Sequence, residues 1–367
     1  MGKCEICGKE SIQISSFIGL CKECVEKFPR EAKKIAMKKH AISRKEFDLP
    51  EKIPRSKKGI KCGICGNECR IPEGKKGFCG LVENKNGKLI RYAGTPEKGL
   101  CEWYYDALPT NCVASWVCPA GTGIGFPKYA YKKGPEYGYY NLAVFYGTCN
   151  FNCLFCQNWH FRDNLKSLSP LVSAKELASK VNEKVSCICF FGGDPGPQML
   201  HTIETSRIAL ENSKGRILRI CLETNGNLNK NLLRKFARFS FESGGCIKFD
   251  LKCWNEILSF VLSGASNKKT YKNFKFLAKF HKKREIPFLH ASTLLIPGYI
   301  SLDEIRKISE FIAKLDPSIP YSLLAFYPTF FMHDLPFTSE KFAQECLKTA
   351  KESGLEKVRI GNLHLLT

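Results

Sequence analysis

Seven short apolar runs follow one another from residue 141 to the end of the chain: NLAVFY, VSCICFF, RILRICL, CIKFDL, LHASTLLI, YSLLAF and VRIG. This succession restricts the fold more than any other feature. Runs this short, continuous and often β-branched read as buried strands, and the longer segments between them carry the apolar spacing of amphipathic helices. Two of those helices open with a capping box, Ser173 with Glu176 and Ser301 with Glu304. Strand alternating with helix predicts parallel pairing through right-handed crossovers, so the expected fold is α/β, a complete or partial (β/α) TIM-type barrel. In such barrels chemistry sits at the carboxyl ends of the strands.

The strand ends carry the residues that chemistry needs. The first run leads into TCNFNCLFCQNW, which puts Cys149, Cys153 and Cys156 on one loop. Three thiolates can hold three corners of a cubane iron–sulfur cluster and leave the fourth iron open, a reaction site. A structural zinc usually wants four ligands, and the only further candidate nearby is His160. The second run ends in FFGGDPGPQ, where Gly192 and Gly193 let a ligand approach the backbone and Asp194 offers an anionic acceptor. The third ends in LETNGN, with Glu223, Thr224 and Asn225; alone this would be a polar turn bent at Gly226. The fourth ends in KFDLKCWN, where Asp250 and Lys252 share a face and either line the cavity or form a plain ion pair. The fifth ends in LLIPGY.

A C-x3-C-x2-C loop after the first strand of such a barrel resembles the hallmark of the radical S-adenosylmethionine (SAM) superfamily. Within it, CNFNCLFCQNW and GGDPGPQ look most like the pyruvate formate-lyase activating enzyme-like proteins. The resemblance spans about residues 141–367 and implies a partial barrel of the radical SAM type. It implies a 4Fe-4S cluster on Cys149, Cys153 and Cys156, SAM chelating its open iron, and a low-potential electron donor. By the same resemblance Phe155 packs near the adenine. Gly192, Gly193 and Asp194 match the Gly-Gly-Glu type motif that holds the SAM amino group, with Asp in place of the commoner Glu. Glu223, Thr224 and Asn225 approach the methionine or ribose part, while Ile296 and Gly298 match an apolar turn that packs against adenine. The implied activity is an oxidoreductase's: reductive cleavage of SAM to a 5′-deoxyadenosyl radical that abstracts hydrogen. The leading substrate is a glycine of a partner glycyl-radical enzyme; the alternatives are another protein, RNA or a cofactor precursor. A macromolecular substrate is expected, protein favoured over RNA.

Before the barrel lie two cysteine-rich units, residues 1–46 and 47–140. Cys4, Cys7, Cys21 and Cys24 have nearly the spacing of a small zinc ribbon, followed by a helix over about 25–45; an iron–sulfur cluster is the alternative. Cys62, Cys65, Cys69 and Cys79 suit zinc and an auxiliary iron–sulfur cluster about equally, since both accept four thiolates. Their segment, CGICGNECRIPEGKKGFCG, resembles the lead-in of uncharacterised members of the activating-enzyme group, whereas the first unit and the Cys101 to Cys118 insert depart from the compact activating enzymes. Cys101, Cys112 and Cys118 are available to a further site. Cys187, Cys189, Cys221 and Cys246 fall on core strands and read as small buried apolar side chains.

No window has the apolar length of a signal peptide or a membrane span, so a soluble cytoplasmic protein without membrane attachment is expected. In that reducing compartment twenty cysteines argue for metal sites, not disulfides. The formal net charge of +22 draws the chain toward acidic surfaces. Much of the excess lies in helix-like segments such as KKTYKNFKFLAKFHKKREI, which read first as solvated basic faces. A zinc-ribbon nucleic-acid-binding protein is the rival from another class.

Overall fold

The computed structural model describes all 367 residues. Nine strands form its main sheet: β1 (Gly99–Ala107), β2 (Tyr140–Tyr146), β3 (Leu171–Val172), β4 (Val185–Gly192), β5 (Arg219–Thr224), β6 (Ile247–Asp250), β7 (Leu289–Leu295), β8 (Tyr321–Ala325) and β9 (Val358–Gly361). Their order is β9-β8-β7-β6-β5-β4-β2-β1-β3, and the two end strands do not meet, so the sheet is an open, partial barrel. All seven apolar runs are strands, and all pair in parallel from β2 to β9.

Outside that pattern, β1 runs antiparallel to β2 from Cys101 opposite Tyr146 to Ala107 opposite Tyr140, and β3 closes onto β1. The segment GLCEWYYDA alternates poorly because only Gly99, Leu100 and Cys101 are buried; the rest forms a wet face. Helices cover the outside of the sheet. The hydroxyl of Ser173 accepts from the Glu176 N–H at 3.1 Å, and that of Ser301 from the Glu304 N–H at 3.4 Å. The Glu304 carboxylate does not return to its cap. It accepts instead from the backbone N–H groups of Trp254 and Asn255, fixing the loop after β6.

The expected first helix is two, Lys22–Lys27 and Pro29–Lys45, since proline lacks an N–H and starts a helix more readily than it continues one. Ile18, Leu20, Val25, Ala32 and Ala36 of this first unit share one apolar core with strand residues such as Val144, Ile188 and Ile220. Tyr299, after β7, ties it further: its hydroxyl donates to the Leu20 carbonyl and accepts from the Ser15 N–H, both at 3.1 Å. The lead-in packs around a smaller core of Ile71, Phe78, Leu81 and Val82. On the helix Lys268–His281 the buried face carries Phe274 and Leu277, and its lysines point to solvent, as the pattern requires. No helix is long and apolar enough to cross a membrane.

Candidate active site

β2 ends at Tyr146, and the chain passes directly into the cysteine loop. That loop is pinned from beneath: the N–H groups of Asn152 and Leu154 donate to the carbonyls of Ser263 and Leu262 at 2.8 and 3.0 Å. Cys149, Cys153 and Cys156 thereby line one cavity of about 220 Å³ at the carboxyl ends of the strands. The Cys149 sulfur accepts from the Phe151 N–H at 3.3 Å and from the Asn225 amide at 3.7 Å. Burial pushes the Cys149 and Cys153 thiols above the ordinary cysteine range, so they ionise best against a bound cation. Three soft ligands on one loop, with donors to sulfur and no fourth cysteine lining the cavity, fit a 4Fe-4S cluster that keeps one iron open.

Gly192, Gly193 and Asp194 line the same cavity. Glycine is required here on geometry: Gly192 has φ 103, and a Cβ on Gly193 would lie 2.2 Å from the Thr148 carbonyl oxygen. Asp194 does more than face a ligand. One carboxylate oxygen accepts from the Thr224 hydroxyl at 2.9 Å and the Asn225 N–H at 2.8 Å, the other from the Gly196 N–H at 2.7 Å. Burial pushes its pKa up to about 6 although these three donors pull the other way. The side chain thus knots the end of β4 to the end of β5, leaving the Gly192 and Gly193 carbonyls freer for a ligand.

Thr224 and Asn225 line the cavity, as does Glu223, whose carboxylate is held by Lys248 at 2.9 Å and by the Cys112 thiol at 3.4 Å. Asp250 and Lys252 also line it and form an ion pair, so both readings of that face hold. The Lys252 ammonium stands 5.4 Å from the centre of the Phe155 ring, which is buried in the wall. Ile296 and Gly298 do not reach the cavity. Ile296 belongs to the apolar core, and Gly298 packs on the backbone of Gln13, because the turn after β7 receives the first cysteine unit. Sequence reasoning did not find Arg162, a cavity residue 2% exposed whose Nε has no partner; nothing in FRDN marks it.

The sulfurs of Cys4, Cys7, Cys21 and Cys24 all lie within 4.8 Å of one another, and those of Cys7 and Cys21 are 3.8 Å apart. Four sulfurs about 2.3 Å from a tetrahedral zinc stand roughly 3.8 Å apart, so this arrangement has zinc's size. Burial opposes ionisation of Cys4, but backbone N–H groups of Cys21, Cys7 and Ile6 bring its pKa down to about 6. Cys62, Cys65, Cys69 and Cys79 gather in the lead-in without closing to that spacing. They abut the active-site loop: the Thr148 hydroxyl donates to the Cys79 carbonyl at 2.7 Å, and the Asn67 amide to the Asn150 carbonyl at 2.7 Å. Cys101 is buried in the main core. Cys187, Cys189, Cys221 and Cys246 sit on or beside core strands, yet they line a second cavity together with Cys112 and Cys118 and are absent from the main apolar core.

Residues 143–312 match the family model of the Radical SAM superfamily. An uncharacterized protein of Methanocaldococcus jannaschii is 26% identical over 327 residues, covering 85% of this chain and 84% of that one. A putative glycyl-radical enzyme activating enzyme of the same organism is 27% identical over 208 residues, 57% of this chain and 74% of that one. Among solved structures, a domain of pyruvate-formate lyase-activating enzyme from Bacteroides vulgatus superposes with TM-score 0.38 at 22% identity, covering 47% of this chain and 98% of that one. Streptococcus suis SuiB bound to precursor peptide SuiA gives TM-score 0.44 at 15% identity, over 59% of this chain and 47% of that one. The matched residues carry the three-cysteine loop and the ends of β4, β5, β6 and β7 that complete its cavity, so residues 143–312 form a domain of the Radical SAM type, a family whose fold implies a 4Fe-4S cluster and SAM.

Proposed function

We propose that this enzyme uses Cys149, Cys153 and Cys156 to hold its 4Fe-4S cluster, and Gly192, Gly193, Thr224 and Asn225 to seat SAM, for radical modification of a partner protein. The observation that carries the reading is the convergence of the three cysteines and the β4 and β5 ends on one cavity. When bound, the cluster and SAM supply one-electron cleavage of SAM and a hydrogen-abstracting radical. The chain's own work is placement. The Asn225 amide steadies the Cys149 sulfur, Asp194 holds the two strand ends in register, and Arg162 and Lys252 give the cavity cationic walls suited to a carboxylate. Phe155 and Phe151 keep water from its floor.

A glycine of a glycyl-radical enzyme is the proposed target, supported by the 27% identical putative activating enzyme. The net charge of +22 suits docking an acidic partner surface, and the twenty cysteines suit a reducing cytoplasm. Zinc in the Cys4, Cys7, Cys21 and Cys24 group, and the unit boundaries 1–46, 47–140 and 141–367, belong to the same proposal. Anaerobically reconstituted protein given SAM and dithionite should release 5′-deoxyadenosine, and Cys149→Ala, Cys153→Ala and Cys156→Ala together should abolish it. Cleavage at the normal rate by the triple variant overturns the assignment. Mixing the active protein with its partner should then give a glycine-centred doublet by electron paramagnetic resonance; a modified partner lacking that signal redirects the proposal to another radical modification.

A further inference from the structure

Below the layer formed by Lys248 and Glu223, a second cavity of about 40 Å³ opens inside the barrel, and six cysteines stand in its wall. Register explains three of them. Cys189 of β4 is the parallel partner of Cys221 of β5, and the next pair along, Leu222 with Ile247, places Cys221 level with Cys246. Side chains at one level of adjacent parallel strands share a face, so Cys189, Cys221 and Cys246 form a row across three strands, facing inward. Cys187 lies one inward position before Cys189. The insert between β1 and β2 supplies Cys112 and Cys118 from the opposite side.

Packing alone does not call for this. A small apolar side chain would do as well at each position, yet the sulfurs are met by donors. The Lys248 ammonium reaches the Cys112 sulfur at 3.1 Å and the Cys189 sulfur at 3.0 Å. The Ala114 N–H donates to Cys112 and the Cys246 N–H to Cys221, both at 3.4 Å. Burial opposes ionisation of the Cys112, Cys189 and Cys246 thiols, and Cys112 donates to Glu223. They ionise best against a bound metal centre, whose thiolates would then meet the Lys248 ammonium and the N–H donors already in the wall. Size points the same way. No three of these sulfurs close within the 4.8 Å that the zinc-sized group reaches, so a single tetrahedral ion does not span them, whereas a cluster carries its own irons and sulfides between wider ligands.

We propose that this cavity holds an iron–sulfur cluster, ligated by Cys189, Cys221 and Cys246 with a fourth thiolate from the insert, Cys112 or Cys118. It is a site separate from the SAM cavity and shares with it only the Lys248 wall. With six sulfurs available, every iron can be closed by thiolate. The inference does not depend on the proposed substrate or on SAM binding.

The test leaves the cavity intact and removes the other iron sites. The full chain carrying Cys149→Ala, Cys153→Ala and Cys156→Ala, together with Cys62→Ala, Cys65→Ala, Cys69→Ala and Cys79→Ala, is reconstituted anaerobically and assayed for iron and acid-labile sulfide. Expected is a stable complement of about four of each per chain for a cubane, lost on adding Cys189→Ala, Cys221→Ala and Cys246→Ala. Absence of iron from the folded sevenfold variant, or a second zinc per chain beyond the one proposed for the Cys4 group, overturns the proposal. If the sevenfold variant does not fold, Cys189→Ala with Cys221→Ala and Cys246→Ala in the otherwise native chain provides the second measurement. Iron and sulfide should then drop by one cluster's worth, and an unchanged content overturns the assignment.

Discussion

Asp194 shows how one cavity side chain can brace the site it lines. Its carboxylate satisfies the Thr224 hydroxyl and the N–H groups of Asn225 and Gly196 while 3% exposed. Asp194→Ala would strand three buried donors, each costing about 1–3 kcal/mol when unsatisfied. We expect the variant to lose at least about 2 kcal/mol in urea unfolding and to bind SAM more weakly, because Asn225 and the cluster loop move with it. Unchanged stability with lost SAM binding would instead make the carboxylate a ligand alone. The triplet GGD was readable as a ligand-approach motif because its glycines are local. Its partners were not, since Thr224 and Asn225 meet Asp194 only after β4 and β5 pair.

At the level of elements, the sequence marked all seven parallel strands and the Ser173 and Ser301 N-caps, because buried runs and caps are written in consecutive residues, though neither glutamate returns to complete its box. It did not mark β1, whose outer half is wet, and although it read Cys189 and Cys246 as buried, as they are, it did not show that they stand level with Cys221, because levels across strands depend on register. The turn after β7 is a similar case. Read for an adenine, it is seen to receive the first cysteine unit: Gly298 has φ 77, and a Cβ there would stand 2.1 Å from the Gln13 carbonyl oxygen. Gly298→Ala should therefore loosen this unit without disturbing its four sulfurs. Hydrogen exchange over residues 12–28 should quicken while the proposed zinc stays at one per chain. Loss of zinc together with quickened exchange would show that docking and metal binding are one cooperative unit. Conversely, Cys7→Ser with Cys24→Ser should remove the zinc and lower the stability of the whole chain, since Leu20 and Val25 lie in the barrel's own core.

Across the whole molecule, the lead-in is welded to the active-site loop by an asparagine network, in which the Asn227 amide meets the Asn67 side chain and the Asn225 amide meets Asn150, each at 2.7 Å. The same economy of buried polar groups makes the fold sensitive to acid. His40 donates from Nε2 to the carbonyls of Phe260 and Val261 and accepts at Nδ1 from the Asn152 amide. His201 donates to the Val172 carbonyl and meets the Tyr146 hydroxyl. Burial lowers His40, His201 and His281 to about 4 and His290 to about 3, so all four fold as neutral rings. Their pKa values are depressed relative to the unfolded chain, which therefore binds more protons below about pH 6.5. Stability from these groups is fully present above that pH and is lost as pH falls toward 4. Asp194, raised to about 6, acts oppositely between pH 4 and 6. Glu304 and Asp106, whose carboxyls burial also raises, act in the same sense as Asp194, whereas the lowered Glu136 and Asp334 add to the fall. At up to about 1.4 kcal/mol per pH unit for each group, the net slope near pH 5 is on the order of a few kcal/mol per unit. Urea unfolding of the Cys149→Ala, Cys153→Ala, Cys156→Ala protein, in which acid release of that cluster plays no part, should show a level midpoint from pH 8 to 7 and a steep fall from 6.5 to 5. A midpoint level down to pH 5 would mean that these rings take up protons in the folded chain as readily as in the unfolded one.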